Sequence, residues 1–421
     1  VDKEPWVPLG ALSIASLFDG RMDVACSVYL KRDYTPSVVK KYIERAAPDI
    51  IGLTCFTYNR FSCLELAAMA KKAFPNILVV FGGPHATFMD RQMLEAYSFI
   101  DLIVRGEGEM TFSEVVDCWF QGKDLKRVAG VSYRQQGKIE RNIDRPRLGT
   151  LNDLPLIDYK KWDICVPYQG DWGFSIHRNL PIETSRGCPA RCFFCITPQM
   201  WGKKVSFRDV ERVIEQIKLV PREWRGRLVF PDMNFSVHRE YVRNLCRAIV
   251  KNNLKIKWAC QTRIDLVDRE TLVWMKEAGC LAVTYGVESL SDRILKAIPK
   301  PFSAAQAVRI SNLTAQLGIH SRMNLIIGFP LENAETIKET VRHLMKLDAR
   351  VGGTLDYLMI MPGTSLYSRA LQEGFNEDYW LEDHEVAIPY YPAVMSVAEL
   401  HKWAGFIRRS WKGYQWEQVL H

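Results

Sequence analysis

Cys188, Cys192 and Cys195 fall within Ser185-Arg186-Gly187-Cys188-Pro189-Ala190-Arg191-Cys192-Phe193-Phe194-Cys195, three thiols on one short loop. The C-x3-C-x2-C spacing can wrap three thiolates around one inorganic core, so the chain must fold to present that loop. A cubane iron–sulfur cluster ordinarily takes four thiolates. Three leave one iron without a protein ligand, open to a substrate or cofactor. A structural zinc site also wants four ligands, and the nearest further candidates, Cys165 and His177, are not at finger-like spacing. The other cysteines (Cys26, Cys55, Cys63, Cys118, Cys165, Cys246, Cys260, Cys280) are scattered, mostly on apolar stretches, and read as core packing rather than a second cluster.

A chain of 421 residues, 48% apolar, is long enough for two or three domains with a large core. No apolar run approaches the roughly 18 residues of a membrane span, and no secretory signal opens the chain. Eleven cysteines without a disulfide-framework pattern fit a reducing cytoplasm. The net charge of +8 is spread without a basic stripe, which argues against nucleic acid as a partner. It suits an acidic electron donor such as a flavodoxin or ferredoxin, and an ordinary solvated surface equally well.

Residues 1–140 alternate strand-like and helix-like stretches, the pattern of a doubly wound, Rossmann-like α/β unit. Strands are expected at 23–30, 50–54, 77–81 and 100–104, helices around 64–70 and 111–120, and a hairpin at 130–140. Ligands of such sheets sit beyond the strands' carboxyl ends, near the point where strand order reverses. Three loops are expected to meet there: Cys55–Arg60, Gly82–Thr87 and Arg105–Glu109. Residues 141–180 carry Arg145-Pro146 and Leu154-Pro155 and read as a linker. From 181 to 370 strand and helix alternate about six times, with strands near 182–185, 227–231, 256–262, 281–286, 321–328 and 355–361. Residues 371–421 are aromatic-rich and end in an amphipathic helix near 396–411, read as a cap over the active site.

The cysteine motif, with aromatic Phe194 before the last cysteine, resembles the signature of the radical S-adenosylmethionine (SAM) superfamily. Gly82-Gly83-Pro84-His85 and Arg105-Gly106-Glu107-Gly108-Glu109 resemble loops of the cobalamin-binding domain that precedes the barrel in its B12-dependent subgroup. That resemblance implies a cobalamin-binding Rossmann-like domain, a partial (β/α)6 barrel and a small C-terminal cap, with a [4Fe-4S] cluster on Cys188, Cys192 and Cys195. The cobalamin contacts implied are Thr57, Tyr58, Asn59, Gly82, Gly83, His85, Gly106 and Glu107. No Asp-x-His-x-x-Gly is present, so cobalamin is expected without a histidine ligand from that motif, its lower face covered by the Phe56–Arg60 loop. Pro8-Leu9-Gly10 comes almost at the start, where the family has a preceding strand.

For SAM the resemblance implies Phe194 and Ile196 against adenine and Asp232 and Asn234 on the ammonium. It places Arg263 on the carboxylate, Glu288 on the ribose hydroxyls, and Asn324 in the adenine region ending at Gly328. A helix cap is the plainer use of Asn234, and a surface ion pair that of Arg263. Met361-Pro362-Gly363-Thr364 matches a structural turn. The implied activity is methyl transfer to an unactivated carbon, in which one SAM methylates cobalamin and another yields a 5′-deoxyadenosyl radical. Oxidative cyclisation of a tetrapyrrole or a ring rearrangement without methyl transfer is the alternative. Trp162, Trp172 and Trp201 allow a large flat or greasy small-molecule substrate.

Overall fold

The computed structural model describes residues 9–25, 36–161, 179–222, 224–382 and 395–412. In the first sheet β1 (Ile50–Thr54), β2 (Leu78–Gly82) and β3 (Leu102–Val104) run parallel. The hairpin β4 (Val131–Gln135) and β5 (Lys138–Arg141) continues the sheet antiparallel. Strand β2 shows why helices cover both faces. Its Val79 and Phe81 join Leu64, Ala67 and Ala70 of the helix Arg60–Ala73 in one core. Its Leu78 and Val80 join Val115 of the helix Gly108–Phe120 in another. Alternate side chains leave a strand on opposite faces, so an uninterrupted apolar run needs two partners.

The described strands cross this sheet in sequence order, β1-β2-β3-β4-β5, and so contain no reversal. The strand expected at 23–30 is not formed at Asp23–Ala25, and its remainder lies outside the described residues. The same holds for Cys26, Trp162, Cys165, Trp172 and His177.

The second sheet is a six-stranded, all-parallel open barrel. It comprises β6 (Asn179–Pro181), β9 (Arg227–Phe230), β10 (Trp258–Thr262), β11 (Cys280–Glu288), β12 (His320–Ile327) and β13 (Gly352–Tyr357). A short antiparallel pair, β7 (Ser185–Arg186) and β8 (Ser206–Phe207), closes the base of the cysteine loop. The flanking helices bury apolar stripes at three- and four-residue spacing, as in Val242, Leu245, Cys246 and Ile249. Several begin at side-chain caps, for instance Asp268 on Thr271 N–H, Ser303 on Gln306 N–H and the Asn333–Thr336 capping box.

Two strand positions differ from expectation. The first barrel strand is Asn179–Pro181, upstream of 182–185. The last is Gly352–Tyr357, beginning before 355. A Cβ at Gly353 would overlap both Met323 O and the Trp411 ring, so this close approach admits only glycine. The C-terminal helix Val397–Ser410 brings Leu400 close to Gly328, just past the end of β12. It lies along the open edge, where Arg408 donates to Leu355 O (3.1 Å) and Trp411 Nε1 to Val351 O (3.2 Å). An edge strand exposes unpaired carbonyls, and Arg408 of this helix satisfies that of Leu355. No helix among the described residues is long and apolar enough to cross a membrane.

Gly279 precedes β11 with φ +90°, and a Cβ there would press on Ile256 O. Gly279→Ala is expected to destabilise the protein by about 1–3 kcal/mol or more, read as a lower denaturant midpoint at unchanged slope. An unchanged midpoint would contradict the close packing of β10 against β11.

Candidate functional site

The cysteine loop hangs from β7 and is pinned at two glycines. Gly187 has φ +109°, and a Cβ there would lie 2.5 Å from Lys204 O. Cys188 N–H donates to Gly202 O (2.9 Å), and Gly202 is itself at φ +84°. Cys195 Sγ accepts from Thr197 N–H (3.5 Å) and lies 3.2 Å from Thr197 Oγ1. Burial pushes the Cys188 and Cys192 thiols up. The Ala190 backbone and the charges of Arg263 and Lys300 oppose this at Cys188, and Lys300 opposes it at Cys192. The charge of Cys195 adds to the rise at both, and that of Cys188 to the rise at Cys192. Among the described residues, no three His, Cys, Asp or Glu side chains converge on a point fit for one metal ion.

The strand ends deliver the other expected residues. At the end of β9, Asp232 Oδ1 accepts from Thr184 N–H (3.1 Å), Thr184 Oγ1 (3.0 Å) and Ser185 N–H. Its Oδ2 is buried without a partner, and burial pushes the carboxyl up to about 7. Asn234 does not cap the turn Phe235–Val237. Its Oδ1 accepts from Thr262 Oγ1 (2.8 Å) and Arg263 N–H (3.2 Å), leaving Nδ2 buried and unpartnered. An unsatisfied acceptor and donor at one strand end are complementary to an ammonium and a carboxylate. Buried polar atoms are rarely left unpaired, so this place fits the amino-acid end of SAM.

Arg263 forms a two-point pair with Asp265 (3.0 and 2.8 Å) and is not poised for a ligand carboxylate in this conformation. Glu288 stands at a β-bulge of β11 with φ +68°. Its Oε1 accepts from Lys300 Nζ (3.1 Å), which also donates to Gly286 O (2.8 Å). Burial raises the Glu288 carboxyl and Lys300 opposes the rise. Lys300 escaped the sequence reading because it lies in no motif, yet it serves both Glu288 and the thiols. Asn324 pairs across the sheet with Gly286 and Thr354, and its Oδ1 accepts from Thr354 Oγ1 (3.1 Å).

Phe194 meets Phe329, which follows Gly328, edge to face at 5.6 Å, while Ile196 is half-buried where the short helix Thr197–Met200 starts. Leu366 N–H donates to Phe193 O (2.9 Å), so the Pro-Gly-Thr turn grips the cysteine loop from the far side.

The three loops of the first sheet are bound to one another. Cys55 N–H donates to Gly82 O (2.8 Å), His85 N–H to Cys55 O (3.1 Å) and Gly106 N–H to Thr87 Oγ1 (3.1 Å). Gly83, at φ +89°, is required by the Cys55 backbone, which a Cβ would approach to 2.8 Å. His85 is 2% exposed, lies 3.2 Å from Thr57 Oγ1 and faces Trp380 edge-on. Burial, aided by Arg60, pushes it down to about 3, so it is a neutral packed histidine. Asn59 folds its own loop, accepting from Phe56 N–H (2.7 Å) and donating to Thr54 O (3.1 Å). That fold presents Tyr58, 74% exposed, stacked on Phe56 at 5.3 Å. An exposed stacked aromatic pair at the strand ends fits a large flat ligand such as a corrin.

Glu107 departs from its expected use. One oxygen accepts from Leu148 N–H (2.7 Å) and the other from Arg186 (3.0 Å). Arg186 also pairs with Glu109 (2.8 Å) and Glu183 (2.9 Å) and lies over the Trp201 ring. Charge complementarity between Arg-Gly-Glu-Gly-Glu and Ser-Arg-Gly-Cys was the available signal, though nothing local pairs the two.

The carboxylate of Glu332 is buried and accepts from Gly328 N–H (2.5 Å) and Phe329 N–H (3.3 Å). Burial pushes it up to about 7 from an ordinary 4.5. A raised folded-state value means that its contribution to stability is full below the unfolded value and is lost as pH rises through the folded one. In the ligand-free protein the loss is expected between about pH 4.5 and 7 and amounts to about 3 kcal/mol. Denaturant unfolding against pH should show Glu332→Gln, which keeps an acceptor, lacking this decline. Superimposable curves would contradict it.

A family model described as the B12 binding domain matches residues 2–116, and one described as the radical SAM superfamily matches residues 182–344. The chain is 33% identical over 370 residues to an uncharacterized methyltransferase of Pyrococcus horikoshii, covering 86% of this chain and 78% of that protein. It is 28% identical over 351 residues to the anaerobic magnesium-protoporphyrin IX monomethyl ester cyclase of Rubrivivax gelatinosus, covering 80% of this chain and 61% of that one. The fold is similar to that of the radical S-adenosylmethionine methyltransferase TsrM from Kitasatospora setae, solved with cobalamin and a [4Fe-4S] cluster bound. The TM-score is 0.72 at 19% identity, over 88% of this chain and 76% of that chain.

Proposed function

The chain belongs to the cobalamin-dependent radical SAM enzymes, and from that premise we propose that it methylates an unactivated carbon of a small-molecule substrate. The observation that carries the reading is the cysteine loop facing strand ends whose buried Asp232 and Asn234 atoms lack partners, together with a first sheet whose loop presents Phe56 and Tyr58. When bound, the cluster and SAM supply a 5′-deoxyadenosyl radical and cobalamin supplies the methyl group. A saturated carbon has no lone pair to attack a methyl donor, which is why such chemistry is needed.

In this reading Cys188, Cys192 and Cys195 hold the [4Fe-4S] cluster, while Lys300 and Arg263 offset the burial that would keep thiols protonated. Asp232 and Asn234 take the amino-acid end of SAM, and Arg263 reaches the carboxylate by leaving Asp265. Glu288 accepts from the ribose hydroxyls with Lys300 behind it, and Phe194, Ile196 and Asn324 bound the adenine with Phe329. Tyr58 and the loop Thr57–Asn59 cover one face of the cobalamin, with Gly82, Gly83 and Gly106 shaping the crevice and His85 packed behind it. The electron comes from an acidic carrier such as a flavodoxin or ferredoxin, and the setting is the reducing cytoplasm that the cysteines suit.

The relation to a cyclase favours one second reading, radical ring closure without methyl transfer. Anaerobically reconstituted protein, reduced and given methyl-deuterated SAM with extract of the source organism, separates the two. Methyl transfer predicts 5′-deoxyadenosine and a product carrying the labelled methyl. 5′-Deoxyadenosine with no labelled product would favour the cyclase. Cys188→Ala, Cys192→Ala and Cys195→Ala should each lose the four-iron cluster. Full iron content in any of them would overturn the ligand assignment.

A further inference from the structure

We infer that Arg186 is a positioning residue for the cysteine loop, and that Glu107 and Glu109 of the first unit hold it there so that SAM can be bound. The inference rests on the cluster assignment above. Arg186 lies two residues before Cys188, in β7, with its backbone paired to Ser206. Its guanidinium is saturated by carboxylates. Nε and Nη2 each lie 2.9 Å from the two oxygens of Glu183, inside the barrel unit. Nη1 reaches Glu107 Oε1 (3.0 Å) and Glu109 Oε2 (3.3 Å), and Nη2 reaches Glu109 Oε1 (2.8 Å), across the interface. The side chains are 9% exposed for Arg186, 8% for Glu107 and 4% for Glu109.

Both glutamates are themselves fixed. Glu107 takes Leu148 N–H and Glu109 takes the Ser13 hydroxyl (3.0 Å). Burial alone would raise Glu109, but Arg186 reverses this and holds its carboxyl below the ordinary range. The same partners keep the buried guanidinium charged. A planar fork bound at both ends has one orientation, and Arg186 transmits it through Gly187 to Cys188. The Glu107 loop also meets Thr87 at Gly106 N–H, so the strand-end loops and the cysteine loop share one rigid contact. Glu107 thus has its oxygens committed to protein and holds the loop rather than a ligand.

The test uses the full chain, anaerobically reconstituted, as wild type, Glu107→Gln, Glu109→Gln, the double variant and Arg186→Lys. Measured are iron per chain, hydroxocobalamin bound per chain, thermal midpoint, and SAM affinity from the change that SAM causes in the electron resonance signal of the reduced cluster. The glutamine variants should keep iron and cobalamin while SAM affinity falls fivefold or more, the lower end of a typical coupling between sites. Arg186→Lys, which keeps the charge but loses the fork, should bind iron with an altered SAM-induced signal. Equal SAM affinity with only a lowered thermal midpoint would make the network merely structural and overturn the inference. Loss of cobalamin from Glu107→Gln at unchanged SAM affinity would return Glu107 to the cobalamin site and overturn it too. A wild-type chain that takes up no iron would defeat the cluster assignment and this inference together. Iron-loaded glutamine variants with wild-type SAM affinity would defeat this inference alone.

Discussion

A guanidinium buried among three carboxylates is the constraint on which the arrangement of this molecule turns. Arg186 is contributed by the barrel, and two of its three carboxylates, Glu107 and Glu109, by the first sheet's third loop. Taking such charges out of water costs several kcal/mol per ion, repaid only where geometry is close and the remaining hydrogen bonds are made. Leu148 N–H, the Ser13 hydroxyl and the Trp201 ring complete that satisfaction. Removing one partner of a buried pair typically costs about 3–5 kcal/mol. The two sheets are therefore held in one relation by an interaction that tolerates little displacement, and the cysteine loop starts two residues away.

Other contacts converge on the same loop from different directions. Phe193 O accepts from Leu366, and Phe194 packs on Phe329. The neighbouring Gly363 is so close to Phe88 of the first unit that a Cβ would overlap the ring. Farther out, Arg60 donates to Trp380 O (2.9 Å), Thr57 O (2.7 Å) and Glu382 O (3.2 Å), and Tyr97 to Leu381 O (2.9 Å). The turn Glu377–Leu381 thus straps the barrel's C-terminal segment to the loop that presents Tyr58.

Much of this was legible in residue order because the signals are local. Apolar runs such as Leu78-Val79-Val80-Phe81 announce strands buried on both faces, Ser396 with Glu399 announces a helix start, and three close cysteines announce one inorganic core. What escaped depends on partners distant in sequence. The strand expected at 355–361 begins at Gly352, where Gly353 packs against Trp411. Lys300 belongs to no motif and acquires meaning only when the bulge at Glu288 points a carboxylate at it. Glu107 lies in a loop of the kind that binds phosphates through its backbone, yet its side chain turns to a residue 79 positions away.

Magnetic coupling between the two centres tests whether one rigid interface holds cobalamin and the cluster over a shared space. The most direct measurement is electron resonance of the reduced, reconstituted chain carrying both cob(II)alamin and the paramagnetic cluster. Spin–spin interaction between them is expected, seen as splitting or faster relaxation of the cobalt signal when the cluster is reduced. A spectrum equal to the sum of the two centres measured separately would contradict it.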